Sequence, residues 1–177
     1  MANTQFPPFP ILATARLDLR QLSPADAPAL AVLRSDEQVN RYLSREGDVS
    51  LEDAAVFIEK INRGIAQGEW LYWAICWRGQ PELLGTICLW QFSADRSTAE
   101  IGYELHPRHQ GQGVMDEALK RVVAFGFEDL GLAALEAFTH RDNAASARLL
   151  LRNRFERAPQ RRDAEDASQL VFKRRRD

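Results

Sequence analysis

Apolar and polar positions alternate along Arg16-Leu17-Asp18-Leu19-Arg20-Gln21-Leu22, which puts Leu17 and Leu19 on one face and predicts an opening strand. Ser23-Pro24-Ala25-Asp26 follows with Ser at an N-cap and Pro at the first helical position, so a helix starts there. Ser50 with Asp53 repeats the cap signal, and Ala54, Ala55, Phe57, Ile58 and Ile61 keep helical spacing until Gly64 and Gly68 end it. Between these helices Asn40 to Asp48 reads as a polar loop. Trp70 to Trp77 and Leu83 to Phe92 are aromatic and β-branched runs around Arg78-Gly79-Gln80-Pro81, hence two strands and a turn, and Thr98 to Leu105 predicts a third strand. Met115, Ala118, Leu119, Val122, Phe125 and Phe127 mark an amphipathic helix from Gly113 to Leu130, stopped by Gly131. Leu132 to Thr139 is then a strand, Asn143 to Arg152 a helix capped by Asp142 or Asn143, and Ser168 to Phe172 a closing strand. This order predicts one α/β domain around a central sheet.

Length and composition agree with a single domain: 177 residues, 45% of them apolar, bury one core and leave no room for a second. Pro7, Pro8 and Pro10 make residues 1–13 an extended lead-in, so the domain is expected over 14–173, with a basic end at 174–177. A formal charge of −2 gives no overall attraction to nucleic acid or anionic lipid, and Lys173-Arg174-Arg175-Arg176 is expected as a solvated terminus. No stretch reaches the roughly 18 apolar residues of a membrane span, and the first ten residues lack a secretory pattern. The expected protein is soluble and cytoplasmic, without membrane or specific nucleic-acid partners, as a monomer or homodimer. Cys76 and Cys88 lie in apolar runs without further thiols or histidines at ligand spacing, so buried free thiols are expected. His106 and His109 lack a third ligand, and no metal is expected.

Chemistry concentrates in Ala99-Glu100-Ile101-Gly102-Tyr103-Glu104-Leu105-His106-Pro107-Arg108-His109-Gln110-Gly111-Gln112-Gly113-Val114-Met115, a strand leading through a glycine-bearing loop into a helix. Gly111 and Gly113 allow close backbone approach, and the first-turn amides of the helix lack intrahelical acceptors, so the loop suits a diphosphate. Arg108 adds a charge-assisted hydrogen bond. The spacing matches neither a nucleotide P-loop nor a dinucleotide fingerprint.

Arg108-x-x-Gly111-x-Gly113 after a Glu-Ile-Gly-Tyr strand, with Asn143-x-x-Ser146 downstream, resembles the acetyl-CoA signature of the GNAT superfamily of N-acetyltransferases. Gly113-Val114-Met115-x-Glu117-Ala118 is similar to the RimJ/RimL-like branch that acts on ribosomal-protein N-termini, and the resemblance spans roughly 14–173. It implies a single-domain acyl-CoA N-acyltransferase fold with a mixed, mostly antiparallel sheet flanked by helices. It also implies acetyl-CoA as donor, with its pyrophosphate on the backbone of Gln110, Gly111, Gln112, Gly113, Val114 and Met115. The pantetheine arm would pair with the strand from Tyr103 to Leu105, with Asn143 against it and Ser146 near the thioester sulfur.

Transfer to an amine needs a proton acceptor and permits a proton donor for the departing thiolate. Glu100 and Glu104 share a strand face about 13 Å apart, and Glu104 is preferred as base because it lies nearer the loop; a bulge in this strand would reverse that order. Where many family members carry a tyrosine acid this chain has Leu150, which leaves Ser146 or no side chain as acid. The acceptor is expected to be a protein or peptide N-terminal amine. The alternatives are a small amine such as an aminoglycoside, polyamine or amino acid, or a module that binds acyl-CoA without turnover. Asn40 to Asp48 and Trp70 to Trp73 are expected to shape the acceptor groove.

Overall fold

The computed structural model describes residues 8–45, 47–161, 163 and 166–177. Residues 1–7 of the expected lead-in and residue 46 of the expected loop lie outside the described residues, as do 162, 164 and 165 of the polar stretch before the last strand. In chain order the elements are β1 (Leu12–Ala13), β2 (Leu17–Gln21), α1 (Ala27–Ser35), α2 (Glu37–Asn40), α3 (Leu51–Ala66), β3 (Leu71–Trp77), β4 (Leu83–Trp90), β5 (Thr98–Leu105), α4 (Val114–Glu128), β6 (Ala134–His140), α5 (Ala144–Arg152), β7 (Glu156–Arg157) and β8 (Gln169–Arg175). The strands form one sheet in the order β1-β2-β3-β4-β5-β6-β8-β7, and every neighbouring pair is antiparallel except β5 and β6.

Sequence alternation decides what each sheet face meets. Leu17, Leu19, Trp73, Ile75, Ile87, Leu89 and Ile101 pack with α4 and with Leu150 of α5 in one cluster, while Ala74 and Cys76 turn the other way onto α1 and α3. Ser23 opens the first helical segment as expected: the Asp26 carboxylate accepts from its N–H at 2.7 Å and is itself gripped by Arg20 at 2.7 Å. Ser50 and Asp53 cap α3 reciprocally. Trp70 and Trp73 are structural rather than groove residues. Trp73 is fully buried with its indole N–H on Pro10 O, and Trp70 donates to Ile61 O.

Several expectations change. Leu12–Ala13 pairs with β2 inside the stretch read as a lead-in, because buried Leu12 continues the apolar face. α2 falls in a stretch where no element was expected; Asp36 caps it by accepting from the N–H of Gln38 and Val39. The basic C-terminal run is a solvated end only from Arg175 onward, where the side chains are exposed. Lys173 to Arg175 continue β8, Lys173 pairs with Glu136 at 3.0 Å, and Arg174 bonds Asn153 O at 2.9 Å. Among the described residues no helix is long and apolar enough to cross a membrane.

Gly85 on β4 lets β5 approach closely at the residues that matter below. A Cβ there would overlap the Glu104 carbonyl and stand 2.9 Å from Leu105 Cα, both backbone atoms that cannot rotate away. Gly85→Ala is therefore expected to lose about 1–3 kcal/mol of stability in urea titration, despite alanine's lower entropy cost on folding.

Candidate active site

The site forms where β5 and β6 part. Their parallel pairing covers only Thr98, Ala99 and Glu100, opposite Ala134, Leu135 and Glu136; beyond it β6 pairs with β8 alone. The N–H of His106 donates to Leu84 O on the β4 side, and backbone groups alternate sides along a strand, so Ile101, Tyr103 and Leu105 turn theirs into the gap. No bulge produces this opening: β5 runs in unbroken register on β4 from Glu100 to Leu105, and the irregularity of this region lies between β3 and β4 at Ile75 and Cys76.

The gap leads into the glycine loop. Pro107–His109 form a single 3-10 turn that His106 opens, its Nδ1 accepting from the Arg108 N–H at 3.3 Å. Gln110 Nε2 holds Leu105 O at 3.0 Å, and Gln112 Nε2 holds Arg108 O at 2.8 Å, so both glutamines brace the loop. Gly111 and Gly113 adopt φ of 73° and 75°, which glycine enters without a Cβ penalty. The first backbone bond of α4 runs from Glu117 N–H to Gly113 O. Before it, the N–H groups of Gly111 through Asp116 make no hydrogen bond to any described residue. Val114 and Met115 bury their side chains beneath this row. Arg108 is exposed at its rim.

Glu117 fixes the start of α4 to the chain before β2, accepting from Thr14 Oγ1 at 2.6 Å and pairing with Arg16 at 2.6 Å. Arg16 in turn donates to Gln112 O at 3.1 Å. Neither Thr14 nor Arg16 was singled out from the sequence, since a tie over a hundred residues away leaves no local signal.

Asn143 caps α5, its Oδ1 accepting from the Ser146 N–H at 3.1 Å. Ser146 Oγ meets Tyr103 Oη at 2.8 Å, which links α5 to β5 across the gap. Burial pushes the Tyr103 phenol up to about 12, so it stays protonated. The two strand carboxylates differ sharply. Glu104 is gripped by Arg45 at 2.6 Å and 3.2 Å through both its oxygens. Glu100 is pushed up to about 7 by burial, with Asp163 and Glu136 adding to the rise and the Trp90 indole and Arg161 opposing it. Glu100 is thus the carboxylate poised to exchange a proton near neutral pH.

On the face of Glu104, the expected polar loop does reach the site. Arg45 also donates to Asn40 Oδ1 at 3.0 Å, and Tyr42 stacks on His140 at the end of β6, 5.4 Å between ring centroids. Cys88 sits on this face as a free thiol that burial pushes up to about 12, which keeps it inert.

Known proteins share this architecture. An acetyltransferase (GNAT) domain profile matches residues 16–156. An uncharacterized N-acetyltransferase of Bacillus subtilis, YoaA, is 38% identical over 149 residues, 84% of each chain. The solved structure of a putative ribosomal-protein-serine acetyltransferase from Vibrio cholerae aligns with a TM-score of 0.82 at 25% identity over 96% of this chain and 99% of that one. That of the ribosomal L7/L12 α-N-protein acetyltransferase RimL, solved with coenzyme A, aligns at 0.80 and 20% identity over 94% and 98%. A sheet that splits between β5 and β6, a row of unpaired amides at the mouth of the split and the profile match over most of its length together make this chain an N-acetyltransferase of the GNAT family.

Proposed function

We propose that this enzyme transfers acetyl from acetyl-CoA to the N-terminal amine of a protein or peptide, in a direct ternary complex. The observation that carries this reading is the open edge of β5 running into the unpaired amides of Gly111 to Asp116. Those amides and the dipole of α4 would hold the diphosphate, with Arg108 adding a cation. The backbone of Ile101, Tyr103 and Leu105 would pair with the amides of the pantetheine arm, the Gln110 side chain yielding Leu105 O. Asn143 has its Oδ1 occupied by the cap, which leaves its side-chain N–H groups for a carbonyl of the arm.

An arm bound from the loop back along Leu105 to Ile101 covers about 13 Å and ends beside Glu100, where β6 closes the gap. That direction reverses the order expected from sequence, in which nearness to the loop favoured Glu104: the loop takes the diphosphate, so the thioester belongs at the far end. Glu100 accordingly accepts the proton of the attacking amine, directly or through water, and Glu104 serves as a positioning residue through Arg45. The bound thioester supplies an acyl carbon with a good leaving group. Ser146 donates to the departing sulfur while accepting from Tyr103, in place of the tyrosine that Leu150 replaces.

The similarity to ribosomal-protein-serine acetyltransferases supports the peptide acceptor. The test follows free CoA thiol with acetyl-CoA and a panel of N-terminal peptides, polyamines, aminoglycosides and amino acids. Turnover of peptides is the expected result. Turnover of small amines alone would move the acceptor to that class, and failure of acetyl-CoA to bind by calorimetry would overturn the reading.

A further inference from the structure

Arg34, in the last turn of α1, sits over the Phe57 ring of α3 with its guanidinium carbon 3.8 Å from the ring centroid. It is half-buried, yet its guanidinium makes no hydrogen bond to any described residue. A planar fork of N–H donors held in place by a ring, bonded to no protein acceptor and still reached by solvent, is ready-made for a carboxylate. The charged groups acting on Arg34 are Glu104 and Arg45. Arg45 already spends both its terminal nitrogens on Glu104, so among the described residues that act on Arg34 the balance is one positive charge, and that charge is Arg34's. Burial lowers the pKa of Arg34, but a guanidinium remains charged in a protein.

We propose that Arg34 binds an acidic side chain of the acceptor peptide and so selects N-termini that carry Asp or Glu a few residues in. This rests on the acetyl transfer proposed above. The spacing sets the position. With the amine about 3 Å from Glu100 and the anion on the Glu104 face, some 10 Å along the strand, the two groups of the acceptor are separated by roughly three extended residues. The carboxylate of a free amino acid stands too near its own amine to span that gap, and a polyamine would bring cations to an arginine. An acid at the third or fourth residue fits.

The experiment compares acetylation of paired peptides that differ only in Asp versus Asn at the second, third or fourth residue, using the wild-type enzyme, Arg34→Gln and Arg34→Lys. Acetyl-CoA binding serves as the check that each variant is folded. In the wild type, Asp at the third or fourth position is expected to raise kcat/KM about 10- to 100-fold over Asn, chiefly through KM. Arg34→Gln should erase that preference and Arg34→Lys restore part of it. Equal use of Asp and Asn peptides by the wild type overturns the inference while leaving the acetyltransferase reading intact. So does a preference that survives in Arg34→Gln, or better use of free amino acids. Absence of turnover with every amine overturns both.

Discussion

Gly111→Glu is expected to abolish measurable acetyl-CoA binding in a protein that still folds. The glycine sits at φ 73° with open space where a Cβ would project, so the first atom of the new side chain meets nothing within 4 Å. The backbone cost of a non-glycine residue in this conformation is about 1–2 kcal/mol, which a domain of this size withstands. The effect on the ligand is different in kind. The amides of Gly111 to Asp116 offer partial positive charge and no competing acceptor, and a carboxylate on Gly111 stands where the diphosphate would sit. Like charges this close cost several kcal/mol, so affinity should fall at least a hundredfold. Gly111→Ala separates the two contributions, because it carries the same backbone strain without the charge and should weaken binding only modestly. Calorimetric titration of wild type and both variants reads the result. Equal loss in Ala and Glu would mean that loop geometry, and not the anion site, accounts for it.

The elements around this loop were legible because their signals are local. Glycines at Gly111 and Gly113, the apolar stripe of α4 and the caps at Ser50 and Asn143 are written within a few residues of where they act. The parting of β5 from β6 is not local. It depends on β6 choosing β8 as its partner beyond Glu136, and nothing in the alternation of Thr98 to Leu105 announces an unpaired edge. Charges are hard to read for the same reason. Arg34 and Arg45 look like ordinary solvated positions on a helix and a loop until packing sets one on Phe57 and the other on Glu104. The C-terminal cations likewise resemble a loose tail, yet Glu136 and Asn153 give Lys173 and Arg174 internal partners. Glu100 and Glu104 are indistinguishable by spacing, and only burial and the Arg45 contact separate them.

Glu100→Gln is expected to lower kcat about 10²- to 10⁴-fold, the usual share of a general base, with little change in acetyl-CoA affinity. Glutamine keeps the shape and the hydrogen bond to its surroundings but cannot take a proton. The pH dependence gives the sharper signature. A carboxyl that titrates at about 7 is protonated and useless as a base below that value, so wild-type kcat/KM should rise as pH passes through it, and the limb should vanish in the variant. Stability moves the other way. The folded-state value is raised above the ordinary 4.5, so the native protein binds this proton more tightly than the unfolded chain does. Its contribution is fully present below about 4.5 and is lost as pH rises through about 7, where the buried carboxylate becomes charged beside Glu136 and Asp163. At pH 8 the variant should therefore melt at or above the wild-type Tm while turning over far more slowly, because removing a charge held at a cost stabilises the fold. Glu104→Gln predicts the opposite pairing: it strips Arg45 of its carboxylate partner and leaves it only Asn40 Oδ1, lowers Tm, and acts on acceptor KM more than on the pH limb. A limb that survives Glu100→Gln and disappears in Glu104→Gln would return the base to the carboxylate nearer the loop.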